Sequence, residues 1–166
     1  MKTKLLFLAA VMSIAVMKAD AQKIGYLNTN DLLALMPEVK AADSILNVFA
    51  KDAQAIYNNY VTEYQMSLKD YSENKDTWSA LKIEAAEQDL GDLEQKITNF
   101  ESQSNYLLEQ KKQELYGPIL ENVKTKIKEV GAEGKFTTIL DGSAMLYTGT
   151  DAIDVMPLMK KKLGIE

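Results

Sequence analysis

The chain of 166 residues contains no cysteine, no histidine and, among its 19 basic residues, no arginine. Without cysteine there is no disulfide and no thiol nucleophile, so stability has to come from packing or assembly. Without histidine the commonest general base is missing and the usual zinc ligand sets cannot be built. Asp, Glu, Lys, Ser or Tyr could still do chemistry. Together, however, these absences argue against an enzyme, and we assign no catalytic residue, metal or cofactor. Proline is also scarce, with 3 in all, and from Glu38 to Tyr71 there is neither proline nor glycine. A stretch that long without a breaker suits one continuous helix.

The first 21 residues read as an export address. Lys2 and Lys4 precede an apolar run of 13 residues, Leu5 to Met17, and Ala19-Asp20-Ala21 has the small-x-small form of a cleavage site. As a helix the run would span about 20 Å, short of a bilayer core of roughly 30 Å. A cut between Ala21 and Gln22 is therefore expected, with no integral membrane segment left afterwards. No cysteine follows the run, which excludes a lipid-modified N-terminus. From Gln22 onward there are 16 lysines against 23 acids, a net charge of −7. Such a chain repels phosphate backbones, which makes nucleic acid an unsuitable partner.

Lys23 to Leu27 has the composition of a short strand. Asn28-Thr29-Asn30 then offers capping side chains for a short helix through Met36, and Pro37 either ends that helix or begins the next. Ala42, Leu46, Phe49, Ala53, Ile56, Tyr60, Tyr64, Leu68 and Tyr71 recur in steps of three and four, a narrow stripe closer to a coiled-coil seam than to a broad globular face. Ser72 to Thr77 is a polar break suited to a turn. A second stripe follows through Leu90, Leu93, Ile97, Phe100, Ser104, Leu107, Lys111 and Leu115. Two such helices joined by a short turn predict an antiparallel hairpin. Gly117-Pro118 should kink the second helix, whose apolar pattern resumes at Ile119, and Gly131 and Gly134 should stop it. The segment Gly131 to Lys135 lacks the spacing of a phosphate loop and follows a helix, so it reads as a helix-terminating loop.

Phe136 to Leu140 is strand-like, Asp141-Gly142-Ser143 signals a turn, and Ala144 to Tyr147 reads as another strand. Asp154 can cap a last helix, Val155 to Leu163, with Pro157 in its first turn and Gly164 closing it. The expected class is α+β, mainly α: a signal peptide (1–21), a small strand-containing body from both ends of the chain (22–37 plus 117–166), and a coiled-coil arm (38–116) inserted between them. A body with three short strands is marginal alone and has edges that invite pairing, so self-association is expected.

This order of segments resembles the Skp (OmpH) family of periplasmic chaperones of outer-membrane proteins. The likeness runs from Lys23-Ile24-Gly25-Tyr26-Leu27-Asn28-Thr29, through the hairpin and Pro118-Ile119-Leu120, to Thr138-Ile139-Leu140-Asp141, Tyr147 and Asp151-Ala152-Ile153-Asp154-Val155. It covers nearly all of the chain after the leader. The resemblance implies a periplasmic homotrimer whose helical arms enclose a cavity and hold unfolded outer-membrane β-barrel proteins without ATP. One departure is charge. Residues 38–116 carry 8 lysines against 15 acids, and all of the net negative charge lies there. Like charge of that kind would keep arms apart and would be screened by salt.

Holding an unfolded chain requires apolar surface that is reachable but dispersed. Tyr57, Met66, Trp78 and Tyr106 are the candidates for touching a client, because Tyr and Trp tolerate water at their polar tips and Met adapts its shape. Tyr60, Tyr64 and Tyr71 belong to the seam. The carboxylate pairs Glu84/Glu87 and Asp89/Asp92 read as a solvated helix face. The competing reading is an exported coiled-coil adaptor with one specific partner in the cell envelope.

Overall fold

The computed structural model describes residues 22–165; the expected leader and its Ala21 lie outside them. The elements run β1 (Ile24–Leu27), α1 (Thr29–Leu35), α2 (Pro37–Asn74), a 3-10 turn (Lys75–Thr77), α3 (Ala80–Glu133), β2 (Thr138–Asp141), a second 3-10 turn (Gly142–Ala144), β3 (Ile153–Asp154) and α4 (Met156–Leu163). The mainly helical α+β class expected from the sequence is the one the chain adopts. Two compact units can be distinguished: the described residues up to Leu32 together with those from Lys126 onward, and Leu33–Thr125.

The first unit is built on a parallel sheet in the order β2-β1-β3. Ile24 to Leu27 pair with Thr138 to Asp141 residue for residue, and Gly25 and Tyr26 pair with Ile153 and Asp154. The third strand is therefore not the expected Ala144–Tyr147. That run starts at the end of the 3-10 turn and is irregular from Met145, and Leu146 and Tyr147 stand in the open at 105% and 83% exposure. The reason is register. The free side of β1 is taken by Ile153-Asp154, whose following residue Val155 donates its amide to the Tyr26 carbonyl at 3.0 Å. Asp154 both pairs in the sheet and receives the Met156 amide at 2.8 Å, but α4 begins at Met156, one residue later than expected, with Val155 rather than Asp154 in the cap position. Gly164, at φ 69°, closes that helix.

Leu27, Leu32, Val130, Val155 and Met159 are buried and form the core of this unit. Each large aliphatic side chain taken out of water contributes about 1.5–3 kcal/mol. The last turns of α3 lie against β2, with Ile139 Cδ1 3.6 Å from where a Cβ at Gly131 would stand. Gly131 does not stop α3, as the sequence suggested; the helix runs to Glu133. It ends in a paired-bond motif, Phe136 N–H to Gly131 O at 2.9 Å and Lys135 N–H to Ala132 O at 3.2 Å. The left-handed residue of that motif is Lys135, at φ 54°, rather than a glycine. Gly134 is needed for space instead: a Cβ there would lie 2.4 Å from the Phe136 ring. The Lys23 ammonium donates to the Gly134 carbonyl at 2.8 Å and sits 4.4 Å from the Phe136 ring centre. A cation there complements the negative end of the helix.

An ion cluster ties α4 to the same helix end. Lys162 reaches Glu133 at 2.6 Å and Glu129 at 3.3 Å, and Lys126 reaches Glu129 at 3.0 Å. Lys126 first, then Lys162, hold the Glu129 carboxyl below its usual range. Glu133, then Glu129, push the Lys162 ammonium above its own. The Glu129 contribution is present at neutral pH and is lost as acid protonates it; the Lys162 contribution is lost only at high pH.

The second unit is an antiparallel helix pair. Met36, extended at ψ 127°, precedes Pro37, which begins α2 rather than ending α1. Asn28 caps α1 as expected, its Oδ1 accepting the amides of Asn30 and Asp31 at 3.1 and 3.3 Å. At 38 residues α2 is about 57 Å long. Ser72, Glu73 and Asn74 stay helical, and the turn comes later than expected. Their polar groups fold back on the preceding turn, Ser72 Oγ to Lys69 O at 2.8 Å and Asn74 Nδ2 to Asp70 O at 3.1 Å. Ser79 then starts α3, receiving the Lys82 amide on its hydroxyl at 3.3 Å. Gly117-Pro118 does not interrupt α3, which is helical throughout. Ile119 and the buried Val123 continue its packed face beyond the proline.

Two kinds of glycine are thereby distinguished. At Gly25 a Cβ would come within 2.9 Å of Val155 Cγ1 and 3.0 Å of the Phe136 ring. Gly25→Ala is expected to destabilise the protein by about 1–3 kcal/mol through overpacking. Gly91→Ala, in open space inside α3, is expected to stabilise it by about 1 kcal/mol. Urea unfolding followed by circular dichroism gives both signs; equal shifts in one direction would refute the distinction.

Candidate functional site

The helix pair offers the only extended surface with reachable apolar groups at regular spacing among the described residues of its unit, so its seam has to be defined first. On α2 the half-buried positions that line up as the seam are Leu46, Phe49, Ala53, Tyr57, Tyr60, Tyr64, Ser67 and Tyr71, with Val61 and Asn74 half-buried beside them. On α3, up to Leu115, they are Ile83, Ala86, Leu90, Leu93, Ile97, Phe100, Ser104, Leu108, Lys111 and Leu115. Steps of three and four predominate on both, as in a coiled coil. Tyr60 meets Phe100 edge to face at 5.4 Å between ring centres, a pair worth about 0.5–1.5 kcal/mol beyond its area. Glu63 and Lys96 bridge the helices at 3.3 Å, exposed and therefore worth little.

The seam differs from the sequence stripe in three places. Ile56, Leu68 and Leu107 are exposed, each at 41%, and their places are taken by Tyr57, Ser67 and Leu108. Both helices take two successive four-residue steps at the same level, 49-53-57 and 100-104-108, and each centres on a small residue. Ala53 and Ser104 leave the seam unfilled there, and a groove of about 340 Å³ opens, walled by Phe49, Tyr57 and Leu108 among others.

Displacing Ile56 and Leu107 from the seam creates a surface. Ile45, Val48 and Ile56 recur three and eight residues apart, on one face of α2, at 46%, 57% and 41% exposure. Glu63, seven residues beyond Ile56, shares that face. It lines a second groove, of about 370 Å³, together with Ser67, Asp89, Asp92, Leu93 and Lys96. Leu107 lies eleven residues beyond Lys96, three turns along the same face of α3. Ile45, Val48, Ile56 and Leu107 therefore share one side of the pair, opposite the Ala53–Ser104 groove. Apolar periodicity alone could not place them, because Ile56-Tyr57 and Leu107-Leu108 are adjacent apolar residues that fit the stripe equally well.

The four residues singled out from the sequence are not gathered. Met66 is exposed at 68%, and Tyr106 at 62% with its hydroxyl accepting from Gln110 at 2.6 Å. Tyr57 is half-buried in the groove wall. Trp78 is half-buried at the turn, 6.2 Å from the Tyr71 ring and covered by the Lys82 ammonium at 3.8 Å. Among the described residues no group of carboxylates could hold a metal ion, and no helix is long and apolar enough to cross a membrane.

Two tyrosine–carboxylate bonds clamp the pair, one near each end. Tyr71 donates to Glu87, and Tyr116 donates to Asp43. The bond to Glu87, helped by desolvation, raises the Tyr71 hydroxyl above its ordinary range, and Asp43 does the same to Tyr116.

Residues 23–163 match the family described as outer membrane protein (OmpH-like). None of the curated proteins matches the chain in sequence. Among solved structures, an OmpH-like chain from Caulobacter crescentus CB15, described as a candidate outer membrane chaperone, matches with a TM-score of 0.70. The identity is 16%, and the match covers 86% of this chain and 83% of that one. At that identity the likeness speaks for the fold.

The clamps have a pH signature. A tyrosine raised on folding contributes stability that is complete below its unfolded value of about 10 and lost as pH rises through the folded one. The melting temperature of the wild type should therefore fall more steeply above about pH 10 than that of Tyr71→Phe/Tyr116→Phe. Parallel pH profiles, by circular dichroism, would show that the clamps contribute nothing.

Proposed function

Because the chain belongs to the OmpH-like outer membrane protein family, we propose that it is an ATP-independent periplasmic holdase for unfolded outer-membrane β-barrel proteins. The observation that carries this reading is the seam. It is narrow enough to leave Ile45, Val48, Ile56, Met66, Tyr106 and Leu107 in water, spaced along two long helices rather than collected in one sticky patch. Dispersed apolar contacts of this kind capture a chain weakly at many points, which needs no nucleotide and no reacting group. Charge between the apolar positions keeps the surface from aggregating with itself.

In this reading the protein is exported by cleavage at Ala21-Gln22 and works as a homotrimer. Support for assembly lies in the first unit, where β2 and β3 are edge strands with unpaired outer sides among the described residues. Leu140, Leu146, Tyr147 and Ile153 are exposed beside or after those strands. Edges of that kind invite pairing with another chain. Holding, rather than catalysis, is the activity proposed.

The test is to dilute a urea-unfolded outer-membrane β-barrel protein into buffer with and without this protein, no nucleotide present, and to follow light scattering. Suppression that saturates near one oligomer per client is expected, with native mass spectrometry giving three copies. Met66→Ser/Tyr106→Ser should weaken suppression and leave the mass unchanged. No suppression at low or high salt, with saturable binding to a single folded envelope protein, would favour the adaptor reading.

A further inference from the structure

We infer that the side of the helix pair bearing Ile45, Val48, Ile56 and Leu107 selects extended client segments in which apolar residues alternate with lysine or arginine along one face of the strand. This rests on the holdase reading and names the clients it takes. Val48, Asp52 and Ile56 follow one another at four-residue intervals on a single helix face, about 6 Å apart along the axis. Side chains on one face of an extended strand recur at nearly the same spacing, about 6.6 Å. A strand laid along α2 thus meets an apolar, an acidic and an apolar position in turn. Its complement is an apolar, a cationic and an apolar residue.

Charge on this side favours the same occupant. Asp52, Asp89 and Asp92 have no lysine partner among the described residues, whereas the cation Lys96 is already engaged by Glu63. Asp89, Asp92 and Glu63 line the acidic groove that continues the row beyond Ile56. Over residues 38–116 the excess is 15 acids to 8 lysines, so a cationic segment is drawn to the pair from a distance and an anionic one is turned away. The apolar residues supply contact area and the carboxylates choose among chains that could use it.

The experiment uses the full-length protein, expressed with its leader and purified from the envelope fraction. Two labelled unstructured peptides of equal length and apolar content carry either Lys or Glu at every fourth position, with an apolar residue two positions to each side, and binding is read by fluorescence anisotropy. The Lys peptide is expected to bind about tenfold more tightly at low salt, with the difference shrinking as salt is added. Asp52→Lys should reduce that preference, and Ile45→Ser/Ile56→Ser should weaken both peptides, each variant keeping wild-type helical circular dichroism. Equal binding, or a preference for Glu, while barrel aggregation is still suppressed, would overturn the charge selection alone. Loss of both peptide binding and suppression would overturn the holdase reading with it.

Discussion

A helix that buries one narrow stripe leaves most of its circumference in water, and the second unit of this chain is organised around that constraint. Leu33–Thr125 has no thick core beyond Met36, Val39, Ala42 and Val123 at one end of the pair. Along the rest, half-buried residues in steps of three and four join α2 to α3. The exposed remainder has to be soluble, which accounts for the excess of acids. It also cannot be wholly polar if it is to hold apolar segments, which accounts for isolated aliphatic residues set among them.

The same constraint explains where polar groups appear in the seam. Ala53 and Ser104 leave a groove where two four-residue steps coincide, while Tyr71 and Tyr116 reach across the pair to carboxylates. Hydroxyl-to-carboxylate bonds at the margins fix the register of two long helices without requiring a broad apolar face. The tip is closed in a related way, with Trp78 packed between Tyr71 and Lys82. Trp78 thus serves the turn first, although composition alone presents it as a free aromatic.

The first unit solves a different problem. Three short parallel strands gain their core by packing Leu27, Val155 and Met159 with the last turns of α3. Space is so limited that Gly25 and Gly134 are held by their neighbours rather than by backbone conformation; the left-handed position falls on Lys135. What this unit leaves uncovered, the outer sides of β2 and β3 and the exposed Leu146-Tyr147, is the surface on which the proposed assembly depends.

Local chemistry carried the element list far. The Asn28 cap, the helical character of both long segments, the Asp141 turn and the Gly164 stop were all readable, because each depends on one residue and its near neighbours. The breakers were less so. Gly131 remains helical, and the helix continues through Gly117-Pro118 as the resumed apolar pattern implied, because apolar residues on either side pack and outweigh a single lost bond or the entropy of one glycine. The third strand was misplaced because Ala144–Tyr147 has strand propensity, whereas Ile153-Asp154 has the position beside β1, and pairing is decided by position. Likewise the sequence set the seam's period but not its phase. Where Ile56 adjoins Tyr57 and Leu107 adjoins Leu108, either residue satisfies the pattern, and only the partner helix selects the one that is covered. The sequence by itself determined that the chain would form long, acidic, amphipathic helices around a small strand-bearing unit. Which aliphatic residues face water, and hence which side can hold a client, was decided by helix-to-helix packing, a property of two segments at once.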